Sequence, residues 1–283
     1  MTIATAPSTL ESSFGKLNID EERNPKLAGT LPISYSEEEL EAMRHVRKEL
    51  IQKHKIDPSR IGLKTLALTT IVTKLRVEES AEKYAKYLQM VGECGVPSLR
   101  DDEALTMKDD MLRKQLKSYA TCGCDNQGRS IMWINGRKTV PEEEEMEVVK
   151  AGIMYHTAIH ADAVSLREGI TFVIDTSNKP AKRAKNDQKL QKTWQVMPMR
   201  PQALLIAGAS LPLRVIINSL ILVASFFSKS KVLDRIKFVK IEEALKSVPL
   251  KSAPAYLGGE GGGIHDIVQW TKRRIDEFPA PVL

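Results

Sequence analysis

Gly169-Ile170-Thr171-Phe172-Val173-Ile174-Asp175 is a short apolar run stopped by a carboxylate. A run of that length and burial reads as an interior strand. Working outward, three more runs match it: Ser130–Ile134, Ala203–Ile206 and Lys237-Phe238-Val239. The first follows a turn, Asp125-Asn126-Gln127-Gly128-Arg129. Helical stretches separate the runs. One opens at Pro141, carries Glu142–Glu145 in its first turn and runs to about residue 166; carboxylates there suit the helix dipole. A polar, basic helix or loop spans about 179–196, an apolar helix 213–227, and a short helix 241–247. Short apolar strands alternating with helices predict a mostly parallel sheet.

The residues before 120 hold no convincing strand. Ser36-Glu37-Glu38-Glu39 is a capping box that opens a helix running to about residue 55, with Leu40, Met43, Val46, Leu50 and Ile51 on its apolar face. Asp57-Pro58 ends it. Further helices are expected over 63–75, 78–90 and 101–119. Residues 1–34, rich in Ser, Thr, Pro and Asn, are read as a disordered lead-in. The expected organisation is that lead-in, a small helical N-lobe over 35–120, an α/β lobe over 121–262, and a C-terminal helix and tail over 263–283.

The chain has 283 residues and a formal net charge of +6. That balance favours anionic partners without choosing among membrane surfaces, nucleic acids and phosphorylated ligands. Three cysteines, Cys94, Cys122 and Cys124, make no disulfide framework and are expected to be reduced thiols. The N-terminus lacks the basic and apolar regions of a secretory signal. Residues 203–227 are long enough to span a bilayer, but Arg214, Asn218 and Pro212 interrupt them; a buried strand followed by a buried helix is expected instead.

Order and spacing together resemble the CRAL-TRIO domain. Asp125-x-x-Gly128-Arg129 before an apolar strand is similar to the family's opening, with Ser130 in place of the usual Pro. Gly169–Asp175 looks like its central strand. Ala203–Ser210, the apolar helix, Asp234–Phe238 and Ala255-Tyr256-Leu257-Gly258-Gly259 resemble its C-terminal half. The resemblance covers about residues 60–262. It implies a helical N-lobe against an α/β lobe, an internal apolar lipid pocket and a mobile gating helix within 213–235. The pocket would be lined by Trp133, Ile170, Phe172, Ile174, Leu204 and Ile206 of the sheet and by Ile217, Leu220, Val223 and Phe227 of the helix. Lys231 and Arg235 look like the basic pair that grips phosphoinositide in tocopherol transfer proteins, with Arg200 and Lys74 matching further basic positions.

The chain departs from the phosphatidylinositol/phosphatidylcholine exchange proteins. Val232 stands where they bind inositol, and Ile170 and Phe172 stand where they hold phosphocholine. A prenol, sterol, carotenoid, tocopherol-like or fatty ligand is therefore favoured. The expected activity is to bind such a molecule and transfer or present it at an anionic membrane or phosphoinositide surface. The protein is then cytoplasmic and transiently membrane-associated, and not an enzyme. A lipid-regulated scaffold is the alternative, docking a protein partner through Trp270–Phe278 with Lys272, Arg273 and Arg274. Nucleic acid is not expected, because the lysine runs lack aromatic stacking platforms; Trp194 stands alone.

No catalytic residue, cofactor or metal is expected. His156 and His160 have metal-ligand spacing but no evident third ligand. Gly208-Ala209-Ser210-Leu211-Pro212 lacks the second Gly of a nucleophile elbow. Gly258–Gly263 lacks the Lys and Ser/Thr of a phosphate loop and reads as a turn extended into a flexible linker.

Overall fold

The computed structural model describes residues 32–135, 145–177, 196–211, 214, 235–262 and 266–283. The expected elements at 136–144, 178–195 and 215–234 lie outside those residues, and with them Ile217, Leu220, Val223, Phe227 and Lys231.

The capping box forms as read. Ser36 Oγ accepts from Glu39 N at 3.2 Å, and Glu39 Oε2 accepts from Ser36 N at 3.0 Å. It opens α1 (Glu37–Gln52), which buries Met43, Val46 and Leu50. Then follow α2 (Leu63–Val72) and α3 (Val77–Glu93). The helix expected over 101–119 is two: α4 (Asp101–Ala104) and α5 (Asp109–Leu116). The Thr106 hydroxyl donates to the Asp102 carbonyl at 2.9 Å.

β1 (Ile131–Asn135) starts the sheet. The long helix that follows is also broken, into α6 (Glu145–His160) and α7 (Ala163–Glu168). Asp162 leaves the helical conformation and its carboxylate accepts from the backbone of Val164 and Ser165. That is an N-cap inside what reads as one apolar run. β2 (Ile170–Asp175), β3 (Pro201–Ala207) and β4 (Ile236–Val239) complete the sheet, followed by α8 (Ile241–Lys246) and α9 (Ile267–Glu277). Among the described residues the sheet has four strands in the order β1-β2-β3-β4, every pair parallel. Pro201 sits at the first position of its strand, where its missing donor costs least.

Register sorts the side chains by face. Met132, Phe172 and Leu204 are partners across the strands, as are Ile134, Ile174, Ile206 and Phe238. Met132 and Phe172 join one apolar cluster with the N-terminal helices, with Val149, Ile153 and Met154 of α6, and with Trp270 and Ile275 of α9. The opposite face presents Ile131, Trp133, Val173, Leu205 and Ala207 to Ala244, Leu245 and Val248 around α8.

The C-terminal helix packs one face into this core. It buries Val268, Trp270, Thr271, Arg274 and Ile275, and Phe278 just after it is fully buried. Of its other cations, half-buried Lys272 pairs with Asp109 and exposed Arg273 stands 3.9 Å from Glu277. Gly258–Gly262 is likewise pinned rather than a loose linker. Gly261 N donates to the Ala253 carbonyl at 2.8 Å, and Cys122 N to the Gly261 carbonyl at 3.1 Å.

Candidate lipid site

The Asp125-x-x-Gly128-Arg129 turn anchors the sheet. Asp125 Oδ1 accepts from the backbone of Gln127 and Arg129, and Oδ2 accepts from the Thr171 hydroxyl at 2.6 Å and from Arg129 Nη2 at 2.7 Å. Gly128 supplies the left-handed φ of 81° that closes the turn. The turn is thus structural, tying the start of β1 to the neighbouring β2.

The second motif closes the other end of the strands. Tyr256 donates to Asp175 Oδ2 at 2.6 Å and accepts from the Trp133 indole at 3.0 Å. Asp175 Oδ1 takes the Ser177 hydroxyl at 2.6 Å. Trp133 is therefore not with the other expected pocket residues. It is fully buried on the α8 face, with its one donor satisfied by Tyr256.

The remaining sheet residues expected at the pocket share the other face. Ile170, Phe172 and Ile206 are buried, whereas Ile174 and Leu204 are only half-buried, as are Ile236 and Phe238 beside them. Half-buried isoleucine, leucine and phenylalanine side by side make a continuous apolar floor toward β3 and β4. Taking such a side chain from full exposure to full burial gains about 1.5–3 kcal/mol, so covering one that is already half-buried adds roughly half of that or less.

Two arginines stand where β3 and β4 begin. Arg200 donates to the Arg167 carbonyl, and its own carbonyl accepts from Ile170 N at 3.0 Å. Gly169, at φ 101°, has no room for a Cβ, which would fall 2.2 Å from that Arg200 carbonyl. Arg235 Nη1 donates to the Pro201 carbonyl at 2.8 Å. Burial, and then the like charge of Arg235, hold the Arg200 guanidinium below its ordinary value, with Glu168 opposing. Two cations crowded together suit an anion placed between or above them. Lys74 is exposed in the left-handed turn after α2, with φ 60°.

Other features hold no comparable chemistry. His156 and His160 are buried in α6, and His160 Nδ1 donates to the His156 carbonyl at 2.8 Å. Among the described residues no group of three His, Cys, Asp or Glu side chains is placed to hold a metal. An opening of about 240 Å³ beside α1 is lined by Arg44, Arg47, Lys48, Ile51, Gln52 and Leu283. Another, of about 310 Å³, lies between Gly95–Pro97 and Met146. Neither borders the sheet. No described helix is long and apolar enough to cross a membrane, and residues 201–207 are a strand paired on both sides.

Against known protein families, residues 114–259 match the CRAL/TRIO domain. The chain belongs to the CRAL/TRIO domain family. The match begins inside α5 and ends in the Tyr256-Leu257-Gly258-Gly259 turn, so it takes in both anchoring networks and the whole sheet. No curated protein matches the chain. Membership in the CRAL/TRIO family points to a small lipophilic molecule as the ligand, in keeping with an apolar floor rather than a cluster of reactive side chains.

Proposed function

We propose that this protein takes up a small apolar lipid against the β2–β4 side of its sheet and transfers or presents it at an anionic membrane. The supporting observation is the pairing of two features on neighbouring strands. A half-buried apolar floor, Ile174, Leu204, Ile236 and Phe238, is flanked by the crowded cations Arg200 and Arg235. The floor excludes water from a lipid, and the arginines meet phosphate. Ile170, Phe172 and Ile206 complete the floor from the sheet; Ile217, Leu220, Val223 and Phe227 are assigned to its cover. Lys231 and Lys74 are assigned to the phosphoinositide contact with Arg200 and Arg235. No step of uptake or delivery requires a bond to be made or broken, so the role is that of a carrier rather than an enzyme, acting in the cytoplasm with transient membrane contact.

A carrier of this kind moves labelled lipid between vesicle populations. The assay uses donor vesicles holding a fluorescent tocopherol or sterol and acceptors with or without phosphoinositide. Transfer that rises with protein and with acceptor phosphoinositide supports the reading. An empty protein by native mass spectrometry that also fails to load from vesicles would refute it.

A further inference from the structure

Arg214 is a cation on the apolar side of the sheet whose role nothing so far explains. It is half-buried, and its Nε donates to the Ala209 carbonyl at 3.0 Å. Its guanidinium carbon lies 5.8 Å from the centroid of the Phe238 ring. Phe238 is the strand partner of Ile206, which is the partner of Ile174, so the guanidinium stands on the same apolar floor. Among the described residues no carboxylate comes within ion-pair distance of it, and neither terminal nitrogen donates a hydrogen bond. The arginine pair already described sits at the opposite, leading ends of β3 and β4. Arg214 instead follows the trailing end of β3, the end of a parallel sheet where ligands of open α/β folds bind.

A guanidinium drawn partly out of water without a counter-ion is costly unless something else supplies the charge. The ring face of Phe238 supplies a little. The anchored Nε leaves the two terminal nitrogens for a planar or tetrahedral oxyanion, the geometry arginine matches best. We infer that Arg214 sets the specificity of the lipid site, selecting an amphiphile with an anionic head, carboxylate or phosphate, over a neutral one. This rests on the lipid-site reading above and narrows its ligand class to acidic lipids.

The test compares one chain with three heads. Palmitate, monohexadecyl phosphate and hexadecanol each displace a neutral fluorescent lipid from the full-length protein. Charge-assisted hydrogen bonds predict that at least one of the anions binds roughly tenfold or more tightly than hexadecanol. Arg214→Met, which keeps the apolar stem, should bring that ratio within about threefold. Whichever anion wins identifies the head. Equal affinity of all three for the native protein overturns the inference and leaves the lipid site standing. Failure of all three to bind removes the lipid site and the inference together. Should Arg214→Met not fold, Arg214→Gln replaces it, and the native ratio alone still decides.

Discussion

Arg274 donates to Asp162 Oδ2 at 2.8 Å and to the Ala158 carbonyl at 2.9 Å, with Trp270 stacked 5.2 Å away. Both side chains of the pair are almost wholly buried, at 5% and 6% exposure. Asp162 also caps α7 and takes the Ser130 hydroxyl. One arginine thus joins the C-terminal helix to the end of α6 and the start of β1. Removing one partner of a buried pair strands the other charge, at a cost of about 3–5 kcal/mol. Arg274→Met should lower the free energy of urea unfolding by that amount; a loss no greater than that of an exposed arginine would contradict it. The nearby histidines give a second expectation. Burial, and then the charge of His160, push His156 down to about 3, and burial pushes His160 down to about 4. Both are neutral in the folded protein at any pH where the unfolded chain begins to protonate them. Their contribution to stability is therefore complete above the ordinary histidine value of about 6.5 and is lost as pH falls from there, toward about 4 for His160 and about 3 for His156, at up to about 1.4 kcal/mol per pH unit for each. Denaturant melts between neutral and mildly acidic pH should show this slope, and His156→Phe should shallow it.

At the scale of elements, the capping box of α1 is the most legible feature, and its worth can be measured. Ser36→Ala removes the acceptor for Glu39 N, so melting should show a loss of about 1 kcal/mol; no change would mean that water replaces the hydroxyl without penalty. The strands were legible because short apolar runs punctuate polar helices. Their faces were not, since a strand buried on both sides shows no alternation. Trp133 looked like a pocket residue for that reason, and only the register with Val173 places it on the α8 side. The break before α7 was harder. Apolar residues continue through Ala161, Val164 and Leu166, and the one contrary signal is Asp162 itself. The burial of Arg274 was hidden among three consecutive basic residues, yet Trp270, Arg274 and Phe278 recur every fourth position. That spacing marks one helix face, the face α9 buries. Arg200 and Arg235 are far apart in the chain, and only parallel pairing of β3 with β4 brings them together.

Across the whole molecule the surplus of six positive charges is unevenly answered. On the N-terminal helices many cations meet acids one turn away: Arg44 with Glu41, Lys53 with Glu49, Arg76 with Glu79, Lys86 with Glu82. Among the described residues Arg200 and Arg235 donate only to carbonyl oxygens, and no carboxylate forms an ion pair with either. Exposed pairs such as those on α1 and α3 contribute little to stability, but they cancel locally as seen from a distant anion. The arginines at the start of β3 and β4 have no such ion-pair partner among the described residues, so in the proposed docking an anionic bilayer should approach that end of the sheet, beside the apolar floor. Each basic side chain near such a surface contributes about 1 kcal/mol. Replacing Arg200 and Arg235 together by Gln should then weaken binding to anionic vesicles by about 2 kcal/mol, close to thirtyfold. Neutralising Arg44 and Lys86 should weaken it far less. The native protein should also lose affinity steeply as salt rises, because the Debye length shrinks from about 30 Å at 0.01 M to about 10 Å at 0.1 M, and the Arg200/Arg235 double variant should lose less over the same range. Co-sedimentation with vesicles across that salt range reads both quantities. Equal salt slopes for the native and double-variant proteins would place the membrane-facing charge somewhere else on the surface.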